Sequence, residues 1–184
     1  MTYQDVNEQQ KKAAGFDFDY GPLLDDLLLL LPSAPPLIVE LGTYLGCSAA
    51  YLVSKMAPGT RLYSVDTFET YGNSQKFFAS AVLNLKACGV RDAVHLLSCR
   101  SWEAAQFFDE KEVDMVWIDA GHDFISVKGD LDAWHSRVKP GGILAGHDLS
   151  EAAVKLAVER FCFAEKKEYH VYQPNGWMSW WIQM

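Results

Sequence analysis

Five apolar runs that read as strands alternate with segments that read as helices, and this alternation restricts the chain more than any other feature of its 184 residues. The runs are "LIVEL", "RLYSVDTF", "AVHLLSC", "VDMVWIDA" and "ILAGHD". Helical stretches are expected over residues 23–31, 46–57 and 74–87, over "SWEAAQFFDE", and from Ser150 to about Phe163. Another is expected where Phe124, Val127, Leu131, Trp134 and Val138 recur at steps of three and four, ended by Pro140-Gly141-Gly142. Strands and helices in alternation build a parallel sheet covered on both faces. The closing stretch "YHVYQ", Pro174-Asn175-Gly176, "WMSWWIQM" reads as a hairpin. The expected fold is therefore α/β, a doubly wound, Rossmann-like, mostly parallel sheet with a C-terminal antiparallel hairpin. Residues 1–184 form a single domain, in which 1–15 look mobile and 1–21 make a flexible or lid-like N-terminal segment.

Composition excludes several function classes. A formal net charge of −8 repels a polyanion, and the nearest basic pair, Lys166-Lys167, is flanked by Glu165 and Glu168, so nucleic acid is not expected as a partner. Cys47, Cys88, Cys99 and Cys162 form no CxxC pair, which argues against a zinc knuckle or disulfide framework and for reduced thiols in a cytoplasmic protein. The polar N-terminus is no signal peptide, and "LLDDLLLLL" is too short and too acidic to cross a bilayer, so no membrane partner is expected. The last strand is apolar on both faces, Trp177 and Trp181 against Met178, Trp180 and Ile182; it is buried in the sheet or under a second copy in a homodimer.

Ligands of such sheets bind at the carboxyl ends of the strands, near the switch point. The stations to examine are residues 40–46, 66–68, 99–102, 119–122 and 147–148. The first, in "VELGTYLGCSAA", is not a P-loop, since no GxxxxGK[ST] occurs. It is also a poor dinucleotide loop. Tyr44 occupies the place where a second glycine would let backbone approach a pyrophosphate, and Glu40 would repel a diphosphate. The same features suit S-adenosylmethionine, a cofactor with a cationic end and no phosphate. Glu40 attracts its ammonium, directly or through water. Gly42, with Thr43, Tyr44, Gly46 and Ser48 in the same turn, lies along the methionyl part. Asp66, followed by Thr67, accepts the ribose hydroxyls, and Arg100, Ser101 and Trp102 frame the adenine.

"VELGTYLGCSAAYL", "VDTF", "WIDAGHDFISVKGDLDAWHSRVKPGG" and "LAGHD" together resemble a class I S-adenosylmethionine-dependent methyltransferase over residues 36–150. The nearest likeness is to the small-molecule O-methyltransferase branch marked by I-D-x-x-H after the fourth strand and H-D after the fifth. N-methyltransferases of DNA and protein amides usually carry N-P-P-Y or D-P-P-Y there, where this chain has D-A-G-H. The resemblance implies a small-molecule acceptor, activated by a base or a metal because a hydroxyl must lose its proton to become nucleophilic. Metal-dependent relatives keep their general base at the place of His122, and Asp119 stands beside it. They hold a divalent ion at the places of Asp119, His147 and Asp148. The imidazole of His147 departs from their pattern, because magnesium prefers hard oxygens while manganese, iron or zinc accepts nitrogen. Either the metal differs, or there is none and His147 lines the acceptor pocket. Other readings are a protein that binds S-adenosylmethionine without turnover, an N-methyltransferase of a small molecule, and a nicotinamide-dependent oxidoreductase, against which Tyr44 speaks.

Overall fold

Strand β1, Leu37–Leu41, is buried at all five positions, the state of a strand in the interior of a sheet with both faces covered. Around it, the computed structural model describes residues 1–15, 17–57, 59–69, 74–174 and 177–184. The strands are β1, β2 (Arg61–Val65), β3 (Val94–Leu97), β4 (Val113–Ile118), β5 (Val138–Gly146), β6 (His170–Tyr172) and β7 (Ser179–Gln183). The helices are α1 (Tyr3–Ala14), α2 (Gly21–Leu29), α3 (Cys47–Lys55), α4 (Ser74–Ala87), α5 (Ser101–Ala104), α6 (Phe124–Trp134) and α7 (Ala152–Glu165). The strands form one sheet in the order β3-β2-β1-β4-β5-β7-β6. β1 to β5 run parallel, while β7 is antiparallel to both β5 and β6. This is the expected Rossmann-like sheet with an antiparallel C-terminal pair.

Alternation along each strand divides the core in two. Val39, Val116, Ile118 and Leu144 pack with Ala104 of α5, Val127, Leu131 and Trp134 of α6, and Val154 and Val158 of α7. Their chain neighbours Ile38, Met115, Trp117 and Ile143 pack on the opposite face with Leu24 and Leu27 of α2, Ala49 and Leu52 of α3, and Leu85 of α4. β7 is buried because it lies between β5 and β6, with Trp180 and Ile182 at 0% exposure. Trp177 falls outside the strand and is exposed. Among the described residues no helix is long and apolar enough to cross a membrane.

Three expectations change. Residues 1–15, expected to be mobile, form α1, which buries Val6 against Leu45 and Cys47. Val138 lies in β5 rather than on the helix before it, because a single tighter turn over His135–Arg137 ends the helical path. Ser150 does not cap α7; Glu151 holds the N-cap position, and the Ser150 hydroxyl accepts the Met178 N–H at 3.1 Å. The turn expected at Asn175-Gly176 lies outside the described residues.

Candidate active site

The carboxyl ends of β1, β2, β4 and β5 are bound to one another beyond the last strand residue. Gly42 N–H donates to Val65 O at 2.8 Å, Asp119 N–H to Leu41 O at 2.8 Å, and His147 N–H to Ile118 O at 3.1 Å. Three of the stations read from the sequence, at Gly42, Asp119 and His147, therefore continue the hydrogen bonding of the sheet. Three non-glycine residues at these ends, Tyr44, Phe68 and Asp148, have φ of 47°, 58° and 55°, in the left-handed region. Side chains there cost backbone energy, which is retained where surrounding bonds over-determine the conformation.

The loop after β1 is organised around two carboxylates. Glu40 is fully buried and accepts hydrogen bonds from the hydroxyls of Ser48 and Ser64. Ser64 in turn accepts from Thr43 at 2.7 Å. Burial pushes the Glu40 carboxyl up to about 7. Asp66 accepts three backbone N–H groups, from Thr43 at 3.0 Å, Tyr44 at 2.8 Å and Phe68 at 2.7 Å. Both acids anticipated as cofactor contacts thus also shape the loop. Gly46, at φ 84°, turns the chain into α3.

Past the ends of β2 and β3 a cavity of about 440 Å³ is lined by Thr67, Glu69, Phe78, Cys99, Arg100 and Glu103, among others. Its size lies within the roughly 300–1,000 Å³ common for small-molecule sites. Of the residues expected to frame an adenine there, Arg100 lines the cavity and stands 5.2 Å from the exposed Trp102 ring, whereas the Ser101 hydroxyl is turned to the buried Asp130.

Asp119, His122 and Asp148 converge at the ends of β4 and β5, with one donor atom of each within 4.8 Å of the others. His122 Nε2 is 3.0 Å from Asp148 Oδ2 and 3.9 Å from Asp119 Oδ1. The Asp119 and Asp148 carboxylates raise the His122 imidazole to about 10. Burial opposes the ionised form of Asp148, but hydrogen bonds from His122 and His147 hold it well below the usual carboxylate range. His147, grouped with Asp119 and Asp148 in the sequence reading, stands on the other side of Asp148. Its Nδ1 is 3.2 Å from Asp148 Oδ1, and its Nε2 faces Asp19 Oδ1 at 3.5 Å. His122 rather than His147 completes the converging set. His122 does not cap α6, because Asp123 does so by accepting from Ile125 N–H and Ser126 N–H.

Sequence reasoning placed Asp19 and Tyr20 only within the lid-like segment 1–21 and gave neither a contact in the site. The Tyr20 hydroxyl donates to Asp119 Oδ2 at 2.8 Å. The available signal was the pair of aromatics, Phe18 and Tyr20, set just before the helix-opening Gly21-Pro22.

Residues 39–149 match a family model described as a methyltransferase domain. No curated protein matches the sequence. Similar solved structures include an O-methyltransferase of Bacillus cereus in complex with S-adenosylhomocysteine, 18% identical, covering 99% of this chain and 89% of that one with a TM-score of 0.73. The O-methyltransferase TomG of Streptomyces achromogenes, in complex with S-adenosylmethionine, is also 18% identical, with coverages of 99% and 89% and a TM-score of 0.72. A protein of Corynebacterium glutamicum is 16% identical, with coverages of 98% and 88% and a TM-score of 0.78. At these identities the likeness is one of fold.

Proposed function

Since this chain belongs to the methyltransferase domain family matched by residues 39–149, an S-adenosylmethionine-dependent family, we propose that it moves the methyl group onto a hydroxyl of a small molecule. The observation that carries this reading is the convergence of Asp119, His122 and Asp148 at the strand ends facing the glycine loop. The loop of residues 42–48 receives the methionyl part, and the cavity beside Thr67 and Arg100 takes the adenosine. A carboxylate offers about four acceptor positions. With three amides already on Asp66, it has room for one ribose hydroxyl rather than two.

Methyl transfer is an in-line displacement at the sulfonium carbon, so the chain must align the acceptor and remove its proton. His122 is the catalytic residue in both forms that the site permits. Neutral, it is a base for the acceptor hydroxyl. Beside a divalent cation it is a ligand, with Asp119 and Asp148 as the oxygen donors. Two carboxylates within reach of one imidazole nitrogen favour the second form, because together they make a donor set that a divalent cation would satisfy in place of the imidazole proton. Two carboxylates with an imidazole fit manganese, iron or zinc better than magnesium. A cation held there by Asp119, His122 and Asp148 would lower the pKa of a coordinated hydroxyl.

The test is release of S-adenosylhomocysteine with a panel of hydroxyl and amine acceptors, with and without manganese, for the wild type and His122→Ala. Turnover of hydroxyl acceptors is expected, falling about 10²–10⁴-fold in the variant while calorimetric affinity for S-adenosylhomocysteine is unchanged. Turnover of amines alone would replace oxygen by nitrogen as the acceptor atom. Binding without any turnover would leave the non-catalytic reading.

A further inference from the structure

The segment between α1 and α2 carries side chains into the candidate active site from outside the matched residues 39–149. It is anchored on α1. The Asn7 side chain accepts the Phe18 N–H at 2.8 Å and donates to Asp17 at 2.8 Å, and Lys11 pairs with Asp17 at 3.0 Å. Phe18 then packs against Tyr3, Tyr51 and Tyr20, with ring centroids at 5.9, 4.9 and 4.7 Å. Tyr20 is left 6% exposed, its ring 4.8 Å from Trp117 and 4.7 Å from His147.

The two oxygens of Asp119 have different partners. Oδ2 accepts from the Tyr20 hydroxyl at 2.8 Å, and Oδ1 is the one that faces His122. A carboxylate turns about its terminal torsion with little preference, so the bond from Tyr20 fixes the rotation that turns the other oxygen to the cluster. We propose that Tyr20 is a positioning residue for a divalent-cation site: by occupying Asp119 Oδ2 it aims Oδ1 at an ion shared with His122 and Asp148. The inference rests on reading those three residues as a cation site. It gives α1 and its connector a part in the site, since they hold the phenol in place. Partners of this kind are worth about 10–100-fold in metal affinity.

The experiment is a manganese titration, followed through the electron paramagnetic resonance signal of the free ion, on the wild type, Tyr20→Phe and Tyr51→Phe. Calorimetry with S-adenosylhomocysteine runs in parallel. Phenylalanine at position 20 keeps the ring packing and removes only the hydrogen bond, so the fold is retained. Expected is a manganese affinity about 10–100-fold lower in Tyr20→Phe. Tyr51→Phe, altered in the same aromatic cluster, is expected to match the wild type, and S-adenosylhomocysteine affinity to be equal in all three. Undiminished manganese binding in Tyr20→Phe overturns the inference and leaves the cation site standing. Equal weakening in both variants assigns the effect to packing and also overturns it. A wild type that binds S-adenosylhomocysteine but no manganese overturns the cation site and this inference together, while the methyltransferase reading survives.

Discussion

At Gly42 the hydrogen that stands in place of a side chain is a requirement of the site. Its φ is 101°, and a Cβ there would lie 1.9 Å from the carbonyl oxygen of Asp119. The loop after β1 and the end of β4 approach each other so closely that only glycine fits between them. Gly42→Ala is expected to combine backbone strain with displacement of Asp119, costing about 2–4 kcal/mol in urea unfolding. Calorimetry should show weakened S-adenosylhomocysteine binding in the same variant. This glycine was readable in the sequence, because a glycine directly after a strand marks a close approach. The loop's other supports were not. Asp66 is recognisable as an acid at a strand end, but its three amide donors come from the left-handed turns at Tyr44 and Phe68. No residue type announces those turns, since both are bulky side chains at φ values usually left to glycine.

At the level of elements, α5 and α6 are tied by the Ser101 hydroxyl donating to Asp130, a residue 2% exposed whose carboxyl burial pushes up to about 6. In the unfolded chain the same group has an ordinary, lower value. Between about pH 4 and 6 the folded state therefore holds a proton that the unfolded state does not, and this contribution to stability is lost as pH rises through that window. At roughly 1.4 kcal/mol per unit it amounts to about 2–3 kcal/mol. Asp130→Asn should flatten that part of the profile, measured as urea-unfolding free energies at pH 4.5 and 7.5; equal slopes in variant and wild type would refute it. The limits of α6 show why periodicity misleads at an element's edge. Val138 continues the spacing of Phe124, Val127, Leu131 and Trp134, yet it belongs to β5 and pairs with Val113 of β4. The register then shifts between Val113 and Met115, so that the ladder accommodates Pro140-Gly141-Gly142 as an irregularity.

For the whole molecule, the amino ends of the strands, away from the candidate site, carry a buried ion pair. At the amino ends, Asp114 of β4 is fully buried, accepts Leu37 N–H at 2.8 Å and pairs with Lys139 of β5 at 2.9 Å. Lys139 also donates to the Ser33 hydroxyl at 2.9 Å. Lys139→Met strands a buried charge and should cost about 2–4 kcal/mol, the lower figure reflecting a lysine that is partly exposed. Because the change lies away from the carboxyl ends, S-adenosylhomocysteine affinity per folded molecule should be unchanged; a parallel loss of binding would show the two ends to be coupled. The sequence by itself determined the alternation of strands and helices, the parallel sheet with its antiparallel close, and the stations at which polar residues stand. Those are consequences of apolar period and turn residues, which act over a few neighbours along the chain. Only the tertiary structure decided that one nitrogen of His122 faces both Asp119 and Asp148 while His147 reaches Asp148 by its other oxygen, and that Tyr20 reaches Asp119 from 99 residues away. Hydrogen bonds are made or lost over a few tenths of an ångström, and the packing of α1, its connector and β4 against one another sets those distances where no local pattern records them.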